Sequence, residues 1–192
     1  MCDDAEQLID SPDATVRALI APTLRRFGAG AIALAAEQRI RIVGLRSRER
    51  YSSASPVLRR MGVDVDAWSS PPAGLFVVEE RTVYLRAFTA MAVAHEFAHG
   101  LDCALGGGVY RSGYDPAIRD AFGKAERYVT PYAACSIDEY FAESMRAYVG
   151  VNDPASLWPR VTRERLRAID ATIHDILAAV FERELAMHTT PA

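Results

Sequence analysis

The chain has 192 residues, half of them hydrophobic, and its 22 Lys and Arg against 25 Asp and Glu leave a net charge of -3. That length supports one core of useful size and is too short for two ordinary domains, so residues 1–192 are expected to form a single domain. A pI near 5.8 carries no electrostatic footprint for nucleic acid, and no apolar run approaches a membrane span, which excludes both as expected partners.

Met1-Cys2-Asp3-Asp4 opens the chain acidic, without the basic and apolar region of an export signal. The expectation is a soluble protein, cytoplasmic by default, with secretion or delivery as an effector left open. Three cysteines, Cys2, Cys103 and Cys135, are too few and too odd in number for a disulfide framework. Ser11-Pro12-Asp13 reads as an N-cap, a first-turn proline and a first-turn acid, ahead of Val16, Leu19, Ile20 and Leu24 at helical spacing. Gly28-Ala29-Gly30 is expected to end that helix. A short alanine-rich helix through about Gln38 then leads into Ile40-Arg41-Ile42-Val43, a β-branched run that reads as a strand. Arg39, Arg41, Arg46, Arg48 and Arg50 suit a solvated strand edge and turn.

Ser55-Pro56 opens another short helix through Met61, and residues 69–74 form a loop in which Pro71-Pro72 reads as a rigid turn. Leu75–Val78 and Thr82–Leu85 form a β-hairpin around Glu79-Glu80-Arg81. A strand exposed along 75–85 could take an extended peptide as an extra strand through main-chain hydrogen bonds; the alternative is a plain sheet edge. A helix follows directly and is stopped after Leu105 by Gly106-Gly107-Gly108. Asp115-Pro116 starts a polar helix through about Arg127, residues 128–135 form a loop, and a helix runs from Ser136 to Val149, closed by Gly150. From about Thr162, Leu166, Ile169, Ile173, Ile176, Leu177, Val180, Phe181 and Leu185 mark one long amphipathic helix. His174 and His188 stand apart from any motif and are expected at the surface.

The chemistry concentrates in His95-Glu96-Phe97-Ala98-His99. Two histidines four apart share one helix face, so both imidazoles can reach a single ion. The carboxylate after the first can take a proton from a water held by that ion, and this is the H-E-x-x-H signature of zinc-dependent peptidases. The helix is apolar on nearly every side, and burying His95, Glu96 and His99 without a partner is costly, which coordination relieves. Catalytic zinc takes three protein ligands and leaves one position open. No histidine lies between His99 and His174, so the third ligand is expected to be an acid further along, and Glu139 and Glu143 stand one turn apart on the helix 136–149. Tyr128 and Tyr132 are both available to assist the reaction.

Together, His95 through Asp102 and the downstream pattern of Tyr132 followed by Glu139-Tyr140-Phe141-Ala142-Glu143 resemble the zinc peptidases related to the catalytic domain of anthrax lethal factor and the Pro-Pro endopeptidases. Tyr132-Ala133-Ala134 is similar also to a loop of the Mlc titration factor peptidases. The resemblance covers about residues 74 to 150. It implies an α+β, zincin-like (gluzincin) metallopeptidase fold: a small twisted sheet with its hairpin edge packed on the active-site helix, and a helical C-terminal half. It implies Zn2+ on His95, His99 and Glu139, Glu96 as general base, Tyr132 as the assisting tyrosine, and endopeptidase activity on a peptide or protein substrate.

Glu143, one turn beyond Glu139, is suited to accept the free ring N–H of a zinc histidine, the alternative being a helix partner for Arg146. Asp102 is a second candidate for such support, or else helps to end its helix. Ser136 and Glu139 also read as a capping box, which would turn Glu139 back on its own helix end. Two other functions stay in view: a zinc-binding scaffold that does not cleave, which needs neither Glu96 nor Tyr132, and an aminopeptidase gripping a substrate amino terminus, for instance through Glu79-Glu80.

Overall fold

A computed structural model describes residues 4–158 and 160–189. Cys2 and the start of the acidic terminus lie outside the described residues. Helix α1 (Asp4–Gln7) and the two-residue strand β1 (Ile9–Asp10) precede α2 (Ala14–Arg25) and α3 (Ala29–Glu37), and β2 is Arg41–Gly44. Short helices α4 (Tyr51–Ala54) and α5 (Pro56–Met61) lead to β3 (Gly74–Val77) and β4 (Thr82–Leu85). The helical half follows, with α6 (Ala90–Leu105), α7 (Pro116–Lys124), α8 (Ile137–Tyr148), α9 (Arg163–Ile169) and α10 (Ala171–Ala179). The result is an α+β fold with one small mixed sheet.

The sheet runs β1-β2-β4-β3, with β1, β2 and β4 parallel and β3 antiparallel at the edge. Alternation along the strands divides its two faces. Ile42, Phe76, Val83 and Leu85 face the main core, where Phe97, Leu101 and Phe141 lie. Val77 and Tyr84 face a smaller core with Tyr51, Val57 and Leu58. Helix α6 packs on β3 and β4 from one side and on α8, α2 and α3 from others, which explains why its sequence is apolar almost all round. Among the described residues no single helix is long and apolar enough to cross a membrane; α2 and α3 together are, but a 114° bend separates them.

Local signals set most boundaries. Thr89 caps α6 by accepting from Ala92 N, and Ser55 caps α5 ahead of Pro56 at the first helical position. Gly30 is required by space, since a Cβ there would stand 1.9 Å from Leu185 O. Several sequence expectations need correction. Asp13, not Ser11, caps α2: its carboxylate accepts from Thr15 N at 2.8 Å, while Pro12 lies before the helix. That helix ends at Arg25, and Ala29 and Gly30 already belong to α3. Strand β2 is interior, between β1 and β4, so the exposed Arg41 stands on a face and not an edge. Helix α7 stops at Lys124, short of Arg127.

The long C-terminal helix is broken at Asp170, and beyond α10 it continues as a π-helical stretch, Val180–Glu184, and a 3-10 stretch, Leu185–Thr189. Asp170 leaves helical geometry at φ -147°, ψ 90°, and its carboxylate caps α10 by accepting from Ile173 N at 3.0 Å. The apolar periodicity runs through this break because both pieces face the same core. His174 is buried, with its ring against Tyr148 and Nδ1 2.9 Å from Asp175. His188 pairs with Glu37 at 3.0 Å in an exposed contact.

Glu80 ties the smaller core together. Its carboxylate accepts from Ser55 Oγ at 2.8 Å, from Val57 N at 2.6 Å and from the Tyr84 hydroxyl. Burial opposes its charge, but those donors hold the carboxyl below its ordinary 4.5. A carboxyl with a lowered folded pKa stabilises above its unfolded pKa, and that stabilisation is lost as pH falls through the folded value. Glu80→Gln is expected to lose about 1–3 kcal/mol at pH 7 in urea unfolding. The gap from the native chain should narrow as the pH drops below 4.5.

Candidate metal centre

Helix α6 carries His95, Glu96 and His99, and α8 crosses it to bring Glu139 and Glu143 against the same turn. His95 Nε2 lies 3.2 Å from His99 Nε2 and 3.0 Å from Glu139 Oε2, and His99 Nε2 is 3.4 Å from the same oxygen. Three donor atoms thus converge as corners of one possible coordination shell. A tetrahedral zinc with ligands at about 2.0–2.2 Å sets its donors roughly 3.3–3.6 Å apart, so the 3.0–3.4 Å spacing is close to that and slightly tighter.

Electrostatics asks for the same charge. Glu139 Oε2 is buried without a hydrogen-bond partner among the described residues. Burial works against an imidazolium at His95, yet the Glu139 and Glu143 carboxylates outweigh it and hold that ring's pKa up to about 10. Burial likewise opposes ionisation of Glu139, and His95 and His99 draw it down to about 2. With neutral imidazoles, the carboxylates Glu96, Glu139 and Glu143 and the guanidinium of Arg146 leave two negative charges, which a divalent cation cancels. The donor set of two imidazoles and one carboxylate is among those that hold zinc.

The capping conflict at Glu139 resolves by division of labour. Ser136 Oγ accepts from Glu139 N at 3.4 Å and donates to Asp138 at 2.5 Å, which leaves the Glu139 side chain free for the histidines. Tyr132 donates to Glu139 Oε1 at 2.9 Å, and its ring lies 5.4 Å from that of His95. Burial and the neighbouring Glu139 push the Tyr132 phenol above its usual range, so it stays protonated as a donor. Tyr128 instead packs with Phe122 and Tyr140 away from the donors.

Glu143 contacts both of the partners considered for it. Its Oε1 accepts from His95 Nδ1 and from Arg146 Nε, each at 2.9 Å, and its Oε2 from Arg146 Nη2 at 2.8 Å and Thr130 Oγ1 at 2.7 Å. A carboxylate so placed accepts only, which keeps a proton on His95 Nδ1 and leaves Nε2, once an ion displaces its own proton, to offer its lone pair to the donor cluster. Asp102 does not support His99. Its buried carboxylate accepts from Ser112 N at 2.9 Å and Ser112 Oγ at 2.6 Å, fixing the segment after α6, while His99 Nδ1 has no partner among the described residues. Burial pushes Asp102 up to about 6. Cys103 and Cys135 are unpaired, the first buried and the second exposed.

Glu96 is buried beneath the edge strand. Phe76 N–H donates to its carboxyl, and burial pushes that carboxyl above its usual range against the pull of both histidines. Gly74 makes the approach feasible: a Cβ there would sit 2.5 Å from Glu96 Cγ. The histidine and glutamate open into a cleft of about 730 Å³ walled by Trp68, Pro71, Pro72, Met91 and Trp158. Pro71-Pro72 therefore shapes the cleft, held by a 2.8 Å bond from the Tyr51 hydroxyl to Pro72 O. Sequence reasoning missed both tryptophans, which lie far from the motifs, and it missed Thr130. The dipeptide Thr130-Pro131, a capping residue followed by proline, is the signal that could have found the last.

Neither a family model nor a curated protein sequence matches the chain. In fold it is similar to the Pro-Pro endopeptidase (PPEP-2) from Paenibacillus alvei, with a TM-score of 0.64 and 17% identity over 93% of this chain and 100% of that one. The chain therefore shares the fold of that endopeptidase and carries a His-His-Glu group that could hold a metal. Cobalt(II) titrated into the native chain is expected to develop the visible absorption of a low-symmetry four-coordinate site, and Glu139→Ala should lose it.

Proposed function

We propose that the chain is a zinc-dependent metallopeptidase of the zincin type that cuts within peptide chains. The observation that carries this reading is the convergence of His95 Nε2, His99 Nε2 and Glu139 Oε2 within 3.0–3.4 Å, beside a buried glutamate, in an open cleft. Zinc, when held by these three residues, makes a water acidic and polarises a carbonyl. The Glu96 carboxylate would take the proton of the attacking water and pass it to the leaving amine; its burial, by raising its basicity, suits it to that transfer. Tyr132 would turn its protonated hydroxyl from Glu139 Oε1 to the oxygen on which negative charge develops. Neither group is needed merely to hold a metal, which favours an enzyme over a scaffold.

The cleft also suggests the kind of peptide. Strand β3 is the edge strand beside α6, and although the Phe76 N–H is taken by Glu96, the rest of that edge would suit an extended main chain. Trp68 and Trp158 are about half exposed, at 56% and 46%, and with Pro71, Pro72 and Met91 they form apolar walls. Arg146, the one guanidinium among the described lining residues, is committed to Glu143 and Val151 O and so is not offered to a terminal carboxylate. Glu79 and Glu80 are not among the described lining residues, which argues against those two as an acidic grip on a substrate amino terminus. Flat indole faces suit apolar and prolyl side chains, and the fold neighbour's name makes Pro-Pro peptides a natural part of the first substrate panel.

Mass spectrometry of a diverse peptide mixture treated with zinc-loaded chain is expected to find internal cuts flanked by apolar residues. Glu96→Gln should keep its metal and lose about 10²-fold or more in rate. Equal cutting by both proteins would sink the mechanism. Removal of single amino-terminal residues would make the activity an aminopeptidase. Tyr132→Phe is expected to lower kcat by about 10–10³-fold with little change in metal content.

A further inference from the structure

The tyrosine and the histidine of the site come from different segments, yet one buried hydroxyl touches the supports of both. Thr130 is 2% exposed. Its Oγ1 donates to Glu143 Oε2 at 2.7 Å and accepts from Ala133 N at 3.2 Å. The direction of both bonds is fixed by chemistry. Glu143 faces Arg146 through both oxygens and can only accept, and a backbone N–H can only donate. A single polarised chain therefore runs from Ala133 N–H through the Thr130 hydroxyl to the Glu143 carboxylate. On the far oxygen of that carboxylate it meets His95 Nδ1.

Ala133 follows Tyr132 directly in the single 3-10 turn Tyr132–Ala134. The turn's other main-chain hydrogen bonds are both local, Ala134 N to Pro131 O at 3.2 Å and Cys135 N to Tyr132 O at 3.0 Å; beyond them it is held by the Tyr132 hydroxyl on Glu139 Oε1 and by Ala133 buried in the main core. The Thr130 hydroxyl caps it and fastens it to a carboxylate that is itself immobilised by Arg146, which bonds on to Val151 O at 3.0 Å. We propose that Thr130 is a positioning residue that holds the Tyr132 phenol and the His95 imidazole in one register, by joining the tyrosine turn to Glu143. The inference rests on the metallopeptidase reading for its effect on rate, and on geometry alone for its effect on the metal ligand. Glu143 keeps Arg146 when Thr130 is changed, so the larger effect falls on the tyrosine side.

The test compares Thr130→Val, which keeps shape and loses the hydroxyl, with Thr130→Ser, which keeps the hydroxyl. Three readings are taken on the full chain: the visible spectrum of the cobalt(II)-loaded protein, zinc affinity against a competing chelator, and kcat and KM on a cleaved peptide. Thr130→Val is expected to change the cobalt spectrum, weaken zinc a few-fold, and lower kcat about tenfold or more with KM within about twofold. Thr130→Ser should restore all three to within about twofold of native. A general loss of packing would not produce that split or that rescue. The proposal is overturned if Thr130→Val keeps the native kcat and spectrum, or if Thr130→Ser is as impaired as Thr130→Val. Should the native chain cleave no peptide, the metallopeptidase reading fails, and the cobalt spectra and zinc affinities alone decide whether Thr130 positions His95. Unchanged spectra and affinities would then overturn the proposal.

Discussion

A guanidinium with 1% of its side chain exposed needs compensation wherever it lies, and Arg146 obtains it from one carboxylate, Glu143. Removing water from both charges is favourable only if nearly every lone pair and proton between them is satisfied. The remaining contacts come from three other places in the chain: His95 on α6, Thr130 before α8, and the carbonyl of Val151 after it. The ion pair is thereby a junction between the helix that carries two donors, the turn that carries the tyrosine, and the segment that leads to Trp158. Replacing it with an apolar pair of the same volume would leave a packed interior but would free the imidazole to choose its tautomer and angle.

The other wall is set by the sheet. Strand β3 reaches Glu96 only because Gly74 has no side chain, and Phe76 then offers its N–H to the carboxyl. The same strand buries Phe76 on the main core and Val77 on the smaller one, so its twist is pinned from both faces. A glutamate enclosed this way keeps little water, which accounts for its raised pKa.

How much of this was legible beforehand follows from how local each signal is. His95, Glu96 and His99 declare themselves because one helix turn fixes their geometry. The hairpin 74–85 and the start of α5 at Ser55-Pro56 are equally local. Glu139 could be assigned only through resemblance, since the choice over Glu143 depends on how α8 crosses α6. Asp102 turned to Ser112, and His174 turned inward, because their partners lie in segments whose placement no periodicity encodes. Strand β1 is two residues long and has no alternation to read. The break at Asp170 is masked by an apolar stripe that serves both helices on either side of it.

The donor set also has a consequence for the chain as a polymer. His99 and Glu139 are 40 residues apart in sequence, joined by a connection that includes Gly106-Gly107-Gly108 and the short α7. An ion shared between them closes that stretch into a ring, as a disulfide would. Restricting a loop of this length removes about 4 kcal/mol of conformational freedom from the unfolded chain in the simplest chain-entropy treatment. An ion held there would therefore also act as a staple between α6 and α8.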